Sequence, residues 1–376
     1  MLIGKKLRVL VVDDTIVYRK AVSDVLSEIP GVEVVGVAHN GKIAMSKIAS
    51  LQPDMLTLDI EMPEMNGIEV LDELQRNQSK IGAVMVSTLT SDGGEMTMKA
   101  LELGAFDFIL KPQSKNPVES KKQLKLSLAP IIREFKKSRN ASSLLSKKRQ
   151  SQKPVKPVKR RPLKPLSARA KPAPKVTAKP AIRRGKSEIV TIGISTGGPN
   201  ALTRMLPMLP GDLGVPIVIV QHMPPVFTKS LATSLDAKCA LAVKEAQDNE
   251  PIQNNTVYIA PGGKQMKLVA SADGQSRQIK ITNDPPENSC KPSADYLFRS
   301  VGDYYVGRTT AVIMTGMGSD GTQGLQVLKQ KGAAIIAQDE ETCVVFGMPK
   351  APIESGIVDV IAPLSKIAEE IIKSVR

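Results

Sequence analysis

The sequence predicts an α/β protein made of two doubly wound parallel-sheet domains, the second with an inserted β-hairpin, joined by a disordered basic linker. Three observations predict this. Apolar runs of strand length alternate with helix-length segments in both halves of the chain, which is the pattern of a parallel sheet covered by helices. The 376 residues exceed the usual size of one domain. A Lys- and Pro-rich stretch without apolar periodicity separates the halves at 136–186.

In the first half, 6–135, the runs LRVLVV, VEVVGVA, DMLTLDI, GAVMVST and AFDFIL read as strands, with helix-like stretches such as 16–27, 42–50 and 96–103 between them. The linker carries 12 Lys and 7 Arg and no acid, against a whole-chain charge of +15, so the remaining residues are net acidic at −4. The basicity therefore belongs to one solvated spacer, and nucleic acid is not an expected partner. Aromatic residues at 3% with no Trp offer no base-stacking surface, and neither a helix-turn-helix nor a zinc finger is apparent. In the second half, 187–376, EIVTIGIS, VPIVIVQ, TVYIA, TAVIMTG and GAAIIAQ read as strands, with helices following Pro199, Phe227, Ser293 and Gly321. A turn at Ala272, Asp273 and Gly274 between alternating runs predicts the hairpin.

No apolar run approaches the eighteen or so residues of a membrane span, and no cleavable leader is apparent, so a cytoplasmic protein is expected; a monomer is the expected state. Cys239, Cys290 and Cys343 are far apart and form no CxxC, which indicates neither a disulfide framework nor a zinc site. His39 and His222 are the only histidines.

Asp13 and Asp14 close the first predicted strand and Asp59 the third. Strand ends in a parallel sheet share one edge, so three carboxylates converge there and repel one another unless a hard cation joins them; Mg²⁺ suits such oxygen ligands. Any one of the three reads equally well as a turn residue or helix cap. Ser87 ends the fourth strand and Lys111 the fifth, a hydroxyl and a cation able to hold a phosphoryl group. Together VVDD, LTLDIEMPEMNG, VMVST and FILKP resemble the two-component receiver family. The resemblance implies a flavodoxin-like fold, phosphorylation of Asp59 by a histidine kinase, Mg²⁺ held by Asp13, Asp14 and Asp59, and Ser87 and Lys111 as the residues that report phosphorylation.

IGISTGGP, residues 192–199, places Ser195 at a strand-to-helix turn in a G-x-S-x-G context. That stretch alone leaves two readings open, a nucleophile or a phosphate-binding turn. His222 in VIVQHMPP follows the next predicted strand, and Asp320 in MTGMGSDG follows another, so both emerge at the same edge as Ser195. Histidine is ready to accept a proton near neutrality, and an aspartate can orient it and stabilise the imidazolium. Gly316 and Gly318 leave room for backbone N–H groups to approach an oxyanion.

With VYIAPGG and FGMPKAP added, the second half resembles the chemotaxis protein-glutamate methylesterase (CheB) family, and the domain order matches as well. The resemblance implies hydrolysis of γ-glutamyl methyl esters on chemoreceptor helices with release of methanol, and deamidation of receptor glutamines. It assigns Ser195 as nucleophile, His222 as general base and Asp320 as its orienting partner, with backbone near Thr196 and Met317 supporting the oxyanion and no cofactor for the ester chemistry. It also implies that the unphosphorylated receiver partly covers the active site. A DNA-binding output through the linker and a nucleotide-binding effector domain are the competing expectations.

Overall fold

A computed structural model describes residues 6–88, 90–114, 116–150, 185–272, 274 and 276–376. The first domain runs β1 (Leu7–Val12), α1 (Ile16–Ser27), β2 (Val32–Ala38), α2 (Gly41–Leu51), β3 (Met55–Asp59), α3 (Gly67–Arg76), β4 (Gly82–Ser87), α4 (Ser91–Glu102), β5 (Asp107–Leu110) and α5 (Pro117–Gln150). Among the described residues its strands form one parallel sheet in the order β2-β1-β3-β4-β5. The ends of β1 and β3 are therefore neighbours, as the acidic cluster requires. Side-chain caps set several of the helix starts: Asn40 accepts from Ile43 N, and Asn66 and Glu69 close a reciprocal capping box on α3.

Helix α5 continues past Lys136, where the linker was expected to begin, and remains helical to Gln150. The reason is compositional: 136–150 is rich in Lys, Arg, Ser and Leu, and no proline interrupts the chain between Pro130 and Pro154. Residues 151–184 of the expected linker lie outside the described residues, as does Asp273 of the expected hairpin turn.

The second domain runs β6 (Ile189–Ile194), α6 (Gly198–Met205), β7 (Ile217–Gln221), α7 (Phe227–Asp236), β8 (Ala242–Glu245), β9 (Thr256–Ile259), β10 (Gln265–Ala270), β11 (Arg277–Thr282), α8 (Ala294–Tyr304), β12 (Thr309–Ile313), α9 (Thr322–Gln330), β13 (Ala334–Gln338), α10 (Lys350–Glu354), β14 (Val360–Ala362) and α11 (Leu364–Val375). Its parallel sheet has the order β14-β13-β12-β6-β7-β9-β8, and β10 pairs antiparallel with β11 as a separate hairpin. β6, β7 and β12 are buried along their whole length, which is why they read as unbroken apolar runs: helices cover both faces. The chain leaves β6 in one direction to β7 and later returns on its other side as β12. That reversal opens a crevice at the carboxyl ends of these strands, where a doubly wound sheet binds its ligand.

The two domains share apolar packing. One contiguous cluster includes Met98 and Leu101 of α4 together with Ala201 and Leu202 of α6 and Phe227 and Leu231 of α7. Among the described residues, no helix is long and apolar enough to cross a membrane.

Candidate functional site

At the carboxyl edge of the first sheet, Asp13 and Asp59 are buried and Asp14 is exposed. One carboxylate oxygen from each lies within 4.8 Å of the others. Lys111 Nζ stands 2.6 Å from Asp59 Oδ2 and 3.1 Å from Asp13 Oδ2. Burial is the largest influence on Asp59 and pushes it up to about 6, helped by Asp13 and Asp14 and opposed by Lys111. Asp13 Oδ2 is buried with no hydrogen-bond partner among the described residues, although it forms an ion pair with Lys111. A crowded set of hard oxygens with one buried orphan fits Mg²⁺. The last expected member, Ser87, is tied to α4: its Oγ accepts from Thr97 Oγ1 at 2.9 Å and donates to Thr88 O at 3.2 Å.

At the carboxyl edge of the second sheet, Ser195 follows β6, His222 follows β7 and Asp320 follows β12, on three adjacent strands. Ser195 N donates to Thr315 O at 3.0 Å and Gly198 N to Ser195 O at 2.7 Å, which closes a sharp turn into α6. Gly197 permits that turn at φ 78°, and a Cβ on Gly316 would stand 2.7 Å from Ser195 Cβ, so both positions require glycine. His222 Nε2 lies 2.8 Å from Asp320 Oδ2. Nδ1 is thus the ring nitrogen left to accept a proton, and Cys290 Sγ lies 3.7 Å from it.

Asp320 is buried and heavily solvated by protein. It accepts from Ser293 Oγ (2.8 Å), Asn288 Nδ2 (3.0 Å) and the first backbone N–H groups of α8, Ala294 at 2.7 Å and Asp295 at 3.3 Å. Burial opposes its charge, but His222, Asn288 and the Ala294 N–H outweigh burial and hold it well below the usual carboxylate range. On His222 burial likewise disfavours the charged ring, yet the partners Asp320 and Cys290 prevail and raise it to about 9. The ring therefore favours the imidazolium at neutral pH, and Nδ1 accepts a proton only in the neutral fraction, which grows as pH rises towards 9.

Ser195 and His222 line one cavity together with Thr196, Gly197 and Gln221, and with Leu101, Asp107 and Phe108 from the first domain. Ser195 Oγ has no hydrogen-bond partner among the described residues. The backbone N–H groups of Thr196 and Met317 likewise have no acceptor among the described residues, the condition an oxyanion donor must meet. Both residues touch the first domain: Thr196 Oγ1 donates to Asp107 Oδ2 at 2.8 Å, and Met317 packs on the first-domain cluster containing Ile109 and Phe135. Phe108 stacks at 4.7 Å on Phe227, and Asn200 Nδ2 donates to Leu101 O at 3.3 Å. Asp107 is half-buried, and the loss of solvation pushes it up to about 6 against the opposing bonds from Thr196 and Phe108 N.

Comparison with known proteins agrees with both halves. Residues 9–121 match the response regulator receiver domain and 190–371 the CheB methylesterase domain. A protein-glutamate methylesterase/protein-glutamine glutaminase of Desulfotalea psychrophila is 62% identical, with 99% of each chain covered. The chain belongs to the CheB methylesterase family. Relatives of the same description are 44% identical in Geobacillus kaustophilus, covering 98% of this chain and 99% of that one, and 43% identical in Bacillus subtilis, with the same coverage. Within this CheB family member the sequence reading did not find Asp107, Gln221, Asn288, Cys290 or Ser293. Gln221 adjoins His222 in the chain and holds Ser195 O at 3.0 Å through Nε2. The other four are distant in sequence from the residues they touch, and no local pattern marks them.

Proposed function

We propose that the chain is a phosphorylation-regulated hydrolase that removes methyl esters from glutamates of chemoreceptor helices and deamidates receptor glutamines, at the cytoplasmic side of the membrane. The arrangement of Ser195, His222 and Asp320 on three adjacent strand ends carries this reading, in a chain 62% identical to a named methylesterase/glutaminase. Ser195 attacks the ester carbonyl and its proton passes to His222 Nδ1, while Asp320 accepts the Nε2–H and stabilises the imidazolium. The N–H groups of Thr196 and Met317 receive the oxyanion. His222 then protonates the leaving methanol, and water resolves the acyl-enzyme by the reverse route. An amide side chain follows the same path and releases ammonia.

Asp59 is the phosphoacceptor for a histidine kinase. Asp13, Asp14 and Asp59 would hold Mg²⁺, which neutralises charge on the transferring phosphoryl oxygens when bound. Lys111 already supplies one positive charge to the same carboxylates. Ser87 connects this edge to α4 through Thr97, and α4 is the helix that packs on α6 and α7 beside the ester site. The resting receiver therefore covers the corner holding Thr196 and Met317, and phosphorylation favours the arrangement in which that cover is released. Methanol release from methylated receptor membranes, with and without acetyl phosphate and Mg²⁺, tests both domains. Release that rises with the phosphodonor is expected, and absence of release under either condition rejects the proposal.

A further inference from the structure

Three cysteines occupy three different settings. Burial pushes the thiol of Cys239 up to about 11 and that of Cys343 up to about 12. Cys290 is half-buried and lies 3.7 Å from the free nitrogen of a histidine. The segment that carries it is constructed to keep the sulfur there. Glu287 N donates to Cys290 O at 3.0 Å and Cys290 N returns to Glu287 O at 2.8 Å, closing a turn whose two central residues, Asn288 at φ 51° and Ser289 at φ 63°, adopt the left-handed conformation without being glycine. Such residues cost about 1 kcal/mol or more each and persist only where surroundings hold them. Here Arg299 grips Glu287 through two bonds of 2.7 and 2.6 Å, and Asn288 Nδ2 bridges Asp295 Oδ2 at 2.8 Å and Asp320 Oδ1 at 3.0 Å. The same asparagine thus ties the cysteine turn to the aspartate that orients His222. A partly exposed thiol beside a basic imidazole is the setting in which a cysteine becomes a nucleophile toward peroxides.

We propose that Cys290 is a modification site, where hydroperoxides oxidise the thiol to a sulfenic acid that obstructs the His222 nitrogen Ser195 needs. The consequence for activity rests on the reading of His222 Nδ1 as general base; the thiol chemistry does not. The Cys290 S–H proton passes to Nδ1, and the thiolate attacks one peroxide oxygen. The S–O bond forms as the O–O bond breaks, and the departing oxygen takes the proton from the imidazolium. Sulfur is oxidised by two electrons and the peroxide is reduced to water or an alcohol. The added oxygen lies against Nδ1, so proton acceptance from Ser195 stops until a thiol reductant removes it.

The test treats the full chain with hydrogen peroxide in the presence of dimedone, which traps sulfenic acid, and maps the label by mass spectrometry; parallel samples without dimedone are assayed for methanol release. Cys290 is expected to label at least about tenfold faster than Cys239 or Cys343, and His222→Ala is expected to bring its rate down to theirs. Methanol release should fall as Cys290 oxidises and return with dithiothreitol, while Cys290→Ala, measured against its own untreated rate, is insensitive to peroxide. Labelling of Cys290 no faster than that of the other two cysteines overturns the proposal, as does full oxidation with undiminished release, or equal peroxide inhibition of Cys290→Ala. A preparation that releases no methanol before peroxide is added counts against the proposed function, and there the labelling ratio still decides the thiol chemistry.

Discussion

At the carboxyl edge of the first sheet burial lifts Asp59 to about 6, whereas at the same edge of the second sheet Asp320 sits well below the usual carboxylate range although it too is buried. The difference lies in what the chain itself supplies. Asp320 receives Ser293, Asn288, two N–H groups at the start of α8 and His222. Asp59 has Lys111 and two neighbouring acids. The second site is complete and poised to stabilise a positive charge that forms during reaction. The first is left short of positive charge, so an added cation or a phosphoryl group changes its balance. One fold thereby provides a finished catalyst and an unfinished switch by varying the donors around an aspartate.

The comparison breaks most visibly at Ser195. Ser195→Ala should lower methanol release by roughly 10⁶-fold while Asp59 still accepts phosphate from acetyl phosphate; substantial residual release would mean that the completed site is not the catalyst. Asp320→Ala should cost roughly 10⁴-fold. Because Asp320 is a cause of the raised His222 value, its removal should also shift the acid limb of kcat/KM to lower pH, and an unmoved limb would show that the carboxylate does not control the ring.

A smaller effect is expected where the two regions meet. Asp107→Ala removes the bond to Thr196 Oγ1 and should raise release by the unphosphorylated chain about tenfold, the size of one charge-assisted bond. Unchanged basal release would show that this contact does not hold the cover. The remaining effect is on stability. A carboxyl raised from 3.8 to about 6 favours the protonated form in the fold, so ionising Asp59 costs stability as pH rises between those values, and the cost is fully present above them. Asp59→Asn should therefore stabilise the protein by up to about 3 kcal/mol at pH 7.5, several degrees in the melting temperature, with the gain fading towards pH 4. Equal melting of the two proteins at pH 7.5 would place the strain elsewhere.

Much of this was readable before folding. Every strand expected from an apolar run forms, and the helices expected after Pro199, Phe227, Ser293 and Gly321 form as α6 to α9. The short strands β8 and β14 escaped because AVKE ends in two charged residues and so shows no apolar run, and VIA is only three residues long. The extent of α5 escaped because Lys- and Ser-rich sequence suits a solvated spacer and an exposed helix equally well. Ser195, His222 and Asp320 were legible as polar residues stranded at the ends of apolar runs. Asp107 was not, since nothing local distinguishes it from a strand-edge acid that meets solvent.

The sequence by itself determined the alternation of strands and helices and the residue types at the strand ends, because side-chain periodicity and turn chemistry act over a few positions. Only the tertiary structure decided that β12, β6 and β7 lie side by side, that His222 turns Nε2 to Asp320 and Nδ1 to Cys290, and that Asp107 reaches Thr196 from the other domain. Those arrangements arise from lateral strand order, ring orientation and domain packing. Each depends on contacts between residues tens of positions apart, whose energies no local window of sequence contains.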